Sequence, residues 1–388
     1  MKIILLSFSD YKGGASIAAY SIFKSIKKRN VLFLTAYKKF KNSKEIYSLL
    51  KKIYIFNLRV IEKILIYFFS KKKFHQSLNI FNTFTQKKIS KLSPDLINIH
   101  WINRSMISLK ELISFKEKVV VSLHDMWFIN STEHYSIKKK KENLLSKYCL
   151  DQKKKFLYKD NVYFITHNNW MYNKLIKFHP KLKKKTYISK YYPIDTNLFK
   201  PRNKKKLRIK YKIPIDKKVV LFSAQDTKDE RKGFDYFEKI LKILSKDNRF
   251  YFITIGKNNP KLENFENFKH VEFLANDKTS DFYSLSDVYI CSSIIDNLPL
   301  TILEALSSGN LVISFKNGGA EELLKRIGYT FKVSEVYKIA KLLKKMDDDL
   351  IKKKSKLARK FALKYFSYEN SKKNYLKIFD KVLKEKKM

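Results

Sequence analysis

Cysteine is nearly absent: Cys149 and Cys291 are the only two in 388 residues. That is too few for a disulfide framework or a cysteine-built metal site, and it fits a reducing cytosol. Acid is also scarce, with 36 Asp and Glu against 83 Lys and Arg and a formal net charge of +47. Such a balance ordinarily points to nucleic acid or an anionic membrane surface as partner. Yet arginine, the residue favoured for bidentate reading of bases and phosphates, is a small minority of the positive charge. The lysines are scattered in runs at 71–73, 138–141, 153–155, 183–185 and 352–354. No specific nucleic-acid partner is expected, and a solvated or membrane-facing surface suits these runs better. The abundance of Lys, Asn, Ile, Phe and Tyr together, as an A- and T-rich genome produces, accounts for part of the charge. No signal-peptide pattern opens the chain, so secretion is not expected. An uninterrupted membrane span is missing too: the most apolar segment, 53–69, is broken by Arg59, Glu62 and Lys63. With Lys51, Lys52 and Lys71–Lys73 around it, this segment either lies in a headgroup layer or forms a core helix of the first domain; the core helix is slightly favoured.

A chain of this length that is 44% hydrophobic can bury a sizeable core and suggests two or three domains. "KIILLSF" (2–8) reads as a buried strand, and "ASIAAYSIFKSIKKR" has apolar residues at helical spacing. Between them, Gly13 and Gly14 remove side chains where the chain turns, so that a ligand could reach backbone N–H groups at the positive end of a helix. The spacing matches neither the dinucleotide fingerprint nor the phosphate loop, and a plain tight turn remains open. Further apolar runs at 31–37, 96–102, 119–127 and 162–167 alternate with helical patterns, as around a parallel sheet. Residues 193–211 turn to proline and charge and read as a linker. The alternation then restarts, with strands expected at 219–225, 250–256, 270–275, 288–293 and 311–315. The tail from about Ser355 is helical, with an apolar stripe of Phe361, Tyr365, Tyr368, Tyr375, Phe379 and Val382. Two doubly wound α/β domains facing a central cleft are expected, with ligand beyond the carboxyl ends of the strands.

The stretch "SSIIDNLPLTILEALSSGNLVISFKNGGAEELL" (292–324) leaves a strand, passes Pro299, starts a helix near Thr301, ends it at Gly309 and enters another strand. Asp296 in the loop and Glu304 in the helix offer two carboxylates to ligand hydroxyls. Gly318 and Gly319 follow the next strand. The acidic triplet Asp347–Asp349 reads as surface in a helical context, without the convergent oxygens a metal needs.

This stretch resembles the C-terminal signature of retaining GT-B glycosyltransferases of family 4 (group 1), usually E-x7-E and here D-x7-E. "DYKGGASIAAYSIFKSI", "PDLINIHWIN" (94–103), "VVVSLHDMWFINSTEHYS" (119–136), "IDTNLFKP" (194–201) and "DERKGFDYF" (229–237) resemble, in the same order, members acting in surface-polysaccharide assembly. The resemblance implies an N-terminal acceptor-side domain over 1–195, a nucleotide-sugar-binding domain over 196–365, and a C-terminal helix, 366–388, crossing back to the first. It implies an enzyme moving a sugar, with retention, from a nucleotide-sugar donor to a glycan or lipid-linked acceptor, as in polysaccharide or lipopolysaccharide synthesis. Glu304 would bind the ribose hydroxyls and Asp296 the donor sugar, with Asn297 and Leu298 beside it. Lys232, helped by Arg231, would neutralise the diphosphate, with no metal or other cofactor. Gly13 and Gly14 would let their loop approach the donor phosphate. His124 would contact the donor sugar near the reacting carbon, with front-face attack in place of a paired-carboxylate mechanism. His134 is a weaker candidate. The implied location is the cytoplasm, including the inner face of the plasma membrane.

Three positions depart from the pattern. Asp296 replaces the usual first glutamate, shortening its reach by one methylene; "FSAQ" (222–225) lacks the arginine many members carry; Ser131 and Thr132 stand where a glycine pair is common. These changes predict altered sugar preference or lowered activity. Taken singly, each residue has a structural reading: His124 as a core histidine, Asp296 as a turn residue, Glu304 on a solvated face, Lys232 as one lysine of many. A sugar-nucleotide epimerase on the same scaffold and a non-catalytic binding subunit are the alternative functions.

Overall fold

The computed structural model describes residues 1–27, 30–39, 46–48, 52–69, 75–136, 143–259, 262, 265–272 and 276–385. Residues 51, 71–73 and 138–141, whose lysines figure in the charge argument, and 273–275 of the expected strand at 270–275, lie outside them. The chain divides into two compact units, Met1–Tyr191 with Ser371–Met388, and Tyr192–Asn370. The sequence-based boundaries stood at 195/196 and 365/366.

In chain order, unit 1 contains β1 (Ile3–Ser9), α1 (Gly14–Ile26), β2 (Val31–Tyr37), β3 (Ile46–Ser48), α2 (Lys52–Phe69), α3 (Thr85–Ser90), β4 (Leu96–Ile99), α4 (Leu109–Ser114), β5 (Lys118–Ser122), α5 (Leu144–Leu157), β6 (Val162–Thr166), α6 (Asn169–Phe178) and β7 (Thr186–Ile188). The strands pair in parallel in the order β3-β2-β1-β4-β5-β6-β7. Every residue of β1, β4 and β6 is buried, the polar Ser7, Ser9, Asn98 and Thr166 among them, as in strands covered on both faces.

Unit 2 contains α7 (Lys204–Tyr211), β8 (Lys218–Asp226), α8 (Phe234–Leu244), β9 (Phe250–Lys257), β10 (Phe268–Val271), α9 (Asn276–Leu285), β11 (Val288–Cys291), α10 (Leu300–Ser307), β12 (Leu311–Phe315), α11 (Ala320–Leu324), β13 (Tyr329–Phe331), α12 (Val336–Lys345) and α13 (Asp348–Tyr365). Its parallel sheet runs β10-β9-β8-β11-β12-β13. Phe234, Phe237, Ile240, Leu241 and Leu244 recur along α8 at helical spacing and bury against the sheet, with Phe237 5.2 Å from Phe222. Both sheets reverse their winding beside their first strand, at β1/β4 and β8/β11, which is where doubly wound sheets open a crevice for ligand.

The last helix, α14 (Tyr368–Lys384), buries Ser371, Tyr375, Ile378, Phe379 and Val382. From Ser371 onward it belongs to unit 1, where Lys118 Nζ donates to Glu385 O at 2.8 Å and Tyr187 Oη to Glu385 Oε1 at 2.8 Å. The single stripe expected from 361 to 382 is interrupted. The chain leaves helix at Phe366, and α13 buries Ala358 and Ala362 in place of Phe361 and Tyr365.

Two further expectations, for the linker and for α2, are corrected. The linker at 193–211 holds a helix, α7, over its last eight residues. Asn203 caps it by accepting from Lys206 N, and Arg208, instead of being solvated, donates to Leu285 O, Ile215 O, Lys217 O and the Asp287 carboxylate. The short edge strands β3, β7 and β13 gave no sequence signal, being three residues each. The acidic triplet Asp347–Asp349 is exposed in a helical context, as expected, and the Asp347 carboxylate is the N-cap of α13, accepting from Leu350 N at 2.7 Å at the helix's positive end. Finally, α2 is not a core helix: only a narrow stripe of it, Ile55, Leu58 and Glu62, is buried. Among the described residues no helix is long and apolar enough to cross a membrane.

Candidate functional site

In unit 2 the predicted residues converge at the carboxyl ends of β8 and β11. Asp229 caps a short 3-10 turn, Glu230–Lys232, and Gly233 reverses the chain in the left-handed region at φ 66° before α8 begins. A Cβ at Gly233 would stand 2.0 Å from Ser292 O, so only glycine lets this turn close on the loop after β11. Ile294 N then donates to Arg231 O at 2.8 Å. Gly318 does the same from the other side: at φ 131°, its missing Cβ would fall 1.6 Å from Asp296 O. Asp296 N donates to Asn317 O at 3.1 Å and Gly319 N to Asn297 O at 2.7 Å, stitching the two loops together. Asp296 is thereby held from both flanks.

Its carboxylate accepts from two cations at once, Arg231 Nη1 and Lys232 Nζ, each 2.8 Å from Oδ2. Burial alone would raise its pKa, but Lys232 and Arg231 outweigh that and hold it at about 2. Glu304, on α10, is half-buried, and desolvation pushes its carboxyl up to about 7, with the buried Tyr283 hydroxyl pulling weakly the other way. The two acids of the signature therefore differ in state near neutrality: Asp296 is fully ionised and Glu304 is at its midpoint. Asn297 is fully buried and Leu298 nearly so, which places them in the wall behind the loop.

In unit 1, Gly13 stands ahead of α1 at φ 91°, and no atom lies within 4 Å of where a Cβ on Gly13 or Gly14 would be. Ser16, in the first turn of α1, is buried, and its hydroxyl has no partner among the described residues. The turn is open beside its glycines.

His124, 9% exposed, has Nε2 2.9 Å from Nδ1 of His100. Its ring centroid is 5.8 Å from that of His167, whose Nδ1 donates to Ser189 O at 3.0 Å. Burial, then the neighbouring imidazoles, hold His124 well below its usual pKa; burial takes His100 and His167 to about 3. All three are neutral at physiological pH. His167 Nε2 is 3.3 Å from the Tyr375 hydroxyl, which is 3.3 Å from Ser122 Oγ, so α14 closes the group from behind. Sequence reasoning singled out His124 alone. The signal for the others was present: three strands run into "NIH", "SLH" and "ITH", and the parallel register sets their ends side by side.

His134 belongs to a separate cluster. Its Nδ1 is 2.6 Å from Asp125 Oδ2 and its Nε2 3.0 Å from Ser77 Oγ. Burial would raise Asp125, but His134 and the hydrogen bonds from Trp127 N and Trp101 Nε1 lower it. Hydroxyl, imidazole and carboxylate are thus in the order of a hydrolytic triad, yet Ser77 is 1% exposed, so no acyl group can reach it. The cluster holds the loop after β5. Lys153 holds the same loop from beneath and was also missed. Within a lysine run read as surface, it is 0% exposed, sits 3.7 Å from the Trp127 ring centroid, and donates to the carbonyls of Trp127, Asn130 and Ser131 at 2.6, 3.0 and 2.8 Å. Among the described residues no three His, Cys, Asp or Glu side chains converge as a metal set.

Residues 203–362, which lie in unit 2, match the family model described as glycosyl transferases group 1. No curated protein matches the chain by sequence. Among solved structures, a glycosyltransferase from Rickettsia africae shares 17% identity at a TM-score of 0.66, over 99% of both chains. HepE from Anabaena, solved with UDP-glucose, shares 16% at 0.68, over 98% of this chain and all of that one. WaaG, a glycosyltransferase of lipopolysaccharide biosynthesis, shares 14% at 0.68, over 96% and 98%. At these identities the likeness establishes the fold: two parallel-sheet Rossmann-like units, as in GT-B glycosyltransferases.

Proposed function

We propose that the protein is a retaining glycosyltransferase that moves a sugar from a nucleotide-sugar donor to a glycan or lipid-linked acceptor, in the synthesis of a surface polysaccharide or lipopolysaccharide. The observation that carries this reading is the Arg231–Asp296–Lys232 cluster at the β8/β11 reversal, with half-buried Glu304 eight residues beyond Asp296. The match of 203–362 to a glycosyltransferase family model covers all four residues and supports it. So does UDP-glucose in the structurally similar HepE.

Transfer leaves a diphosphate carrying growing negative charge, and cations fixed beforehand stabilise that charge most effectively. Lys232 and Arg231 supply it; neutral His100, His124 and His167 do not. In the free protein Asp296 pairs with both cations, and Asp229 pairs with Arg231 as well at 3.3 Å, so diphosphate and carboxylate compete for them, and Asp296 turns to sugar hydroxyls as the donor enters. Glu304, once ionised, accepts from the ribose hydroxyls. His124 contributes a neutral hydrogen bond to the donor sugar, and the open Gly13–Gly14 turn offers N–H groups to phosphate or acceptor oxygens. No metal or other cofactor is required by this scheme.

The test is a thermal-shift screen against UDP-, GDP- and ADP-sugars, repeated with Lys232→Ala and Glu304→Ala, followed by NMR of the anomeric proton in any product. Stabilisation by one nucleotide series, lost in both variants, and a product of unchanged anomeric configuration are expected. Failure of every series to stabilise the folded protein would leave a binding subunit in which Asp296 permanently occupies the two cations. An inverted product would remove the retaining assignment.

A further inference from the structure

We infer that Arg59 and Arg104, which share the ring of Phe8, form a binding site in unit 1 for an anionic group, phosphate or carboxylate, carried by the sugar acceptor. The inference rests on the glycosyl-transfer reading above. Arg59 lies on α2, with its guanidinium carbon 5.8 Å from the centroid of the Phe8 ring. That of Arg104, in the loop after β4, is 5.6 Å from the same ring and 5.4 Å from that of Trp101. Phe8 is the penultimate residue of β1 and Trp101 follows the end of β4, with Phe8 N donating to Trp101 O at 2.7 Å. The pair therefore stands at the β1/β4 reversal, at the carboxyl ends of the strands, where a doubly wound sheet takes its ligand.

Three observations distinguish a site from packing. Among the described residues neither guanidinium has a hydrogen-bond or ion-pair partner, although both are half-buried. Every other buried or half-buried arginine described is partnered: Arg202, Arg208 and Arg231 hold carboxylates, and Arg359 donates to three carbonyls. Second, the local counter-charge is committed elsewhere. Glu62, one turn along α2 from Arg59, is buried and accepts from Leu78 N, Asn79 N and Ser105 Oγ; it attracts Arg104 without bonding it. Third, Arg104 is held in place at a cost. Arg104 and Ser105 stand in succession in the left-handed region, at φ 61° and 56°, which residues other than glycine adopt only when their surroundings impose it. Here the Ser105–Glu62 bond imposes it, with the Asn79 amide donating to Ile102 O at 3.0 Å and Ile107 O at 2.9 Å. Burial, then the Arg59 charge, lower the pKa of Arg104, and an anion shared by the two guanidiniums relieves both penalties.

The guanidinium fork matches the paired oxygens of a carboxylate or a phosphate. The donor's diphosphate is assigned to Lys232 and Arg231 in unit 2, which leaves the acceptor as the carrier of this anion. Trp101 links the pair to His124, assigned above to the donor sugar: His100, next to Trp101 in the chain, is 2.9 Å from His124, and Trp101 Nε1 donates to Asp125 at 2.9 Å.

Titration calorimetry without nucleotide tests this, using glucose 6-phosphate, glucuronate, glucose and inorganic phosphate on wild type, Arg59→Gln/Arg104→Gln and Lys232→Ala. One of the acidic sugars should bind the wild type at least about tenfold tighter than glucose, and the double variant should lose that margin. Lys232→Ala should keep it. Preference for glucose 6-phosphate names a phosphorylated acceptor, and preference for glucuronate a uronic acid. The double variant should be no less heat-stable than wild type, since it breaks no bond and removes a repulsion; a structural pair predicts a loss. On the wild type, the favoured acid, and not glucose, should slow phenylglyoxal labelling of Arg59 and Arg104, mapped by mass spectrometry. Acidic sugars that bind no better than glucose, or no better than inorganic phosphate, would overturn the proposal. So would a double variant that keeps the acid or loses UDP. A protein that binds a nucleotide-sugar but neither acid refutes this site alone; one that binds an acid but no nucleotide refutes the transfer reading, and the acceptor role with it.

Discussion

Replacing Glu304 by glutamine should make the protein more stable above neutrality and leave it unchanged in acid. The Glu304 carboxyl titrates at about 7 in the folded chain against 4.5 when solvated, because desolvation penalises its charge. A group that binds its proton more tightly folded than unfolded costs stability as pH rises from the unfolded to the folded pKa, here from 4.5 to about 7, and the cost is constant above that. At 1.36 kcal/mol per pKa unit the cost is about 3 kcal/mol, and screening of a half-buried carboxyl by water reduces it to about 2–3 kcal/mol. Glutamine keeps the shape and never ionises. Urea denaturation of wild type and Glu304→Gln from pH 4 to 8 isolates the effect, since other titrating groups cancel in the difference. The variant should gain about 2–3 kcal/mol relative to wild type across that range. A difference that does not change with pH, or that favours the wild type at pH 8, would refute the assignment of a desolvated carboxyl. Binding gives a second readout: if only the ionised form accepts from a ribose diol, nucleotide affinity at pH 6 should be about tenfold weaker than at pH 8. That slope should vanish in Glu304→Gln.

Lys232→Ala should weaken binding of the free nucleoside diphosphate by about 10- to 100-fold in titration calorimetry, the worth of one charge-assisted contact. Asp296→Asn should do the opposite, tightening the diphosphate by releasing Arg231 and Lys232 while lowering transfer, read by pairing calorimetry with turnover. Gly318→Ala should yield no native nucleotide-binding protein, because its Cβ would fall 1.6 Å from Asp296 O; circular dichroism and thermal shift check this. Lys153→Met fills the same space but strands three carbonyls, and should cost about 3 kcal/mol or more in urea denaturation.

Much of the unit 2 site was legible because its chemistry lies in two short linear stretches, 229–233 and 292–304, whose order the resemblance could recognise. The unit 1 cluster was harder to read. His100, His124 and His167 are separated by 24 and 43 positions and become neighbours only through strand register. Charge misled twice, for Lys153 and for Arg208. A buried cation reads in sequence like a surface one, since what distinguishes it is a set of carbonyls, and carbonyls carry no letter. Helix α2 misled in the other direction. Its apolar content suggested a core position, and the exposed face follows from the single inward hydrogen-bonded acid, Glu62, which fixes the helix's rotation.

The return of α14 to unit 1 orders events during synthesis. Unit 2 is one uninterrupted stretch, 192–370, whereas unit 1 is completed only by residues from Ser371 onward. As the chain emerges from a ribosome, the first sheet can assemble early, but Tyr375, Phe379 and Val382, all fully buried in the finished protein, are delivered last. Until then the nascent unit 1 displays the apolar seat of those side chains and the back of its histidine group. The usual sequence, in which the N-terminal domain folds first and waits, is reversed. The domain begun first is the last to close, and a chaperone holding nascent chains would find its longest-lived target there.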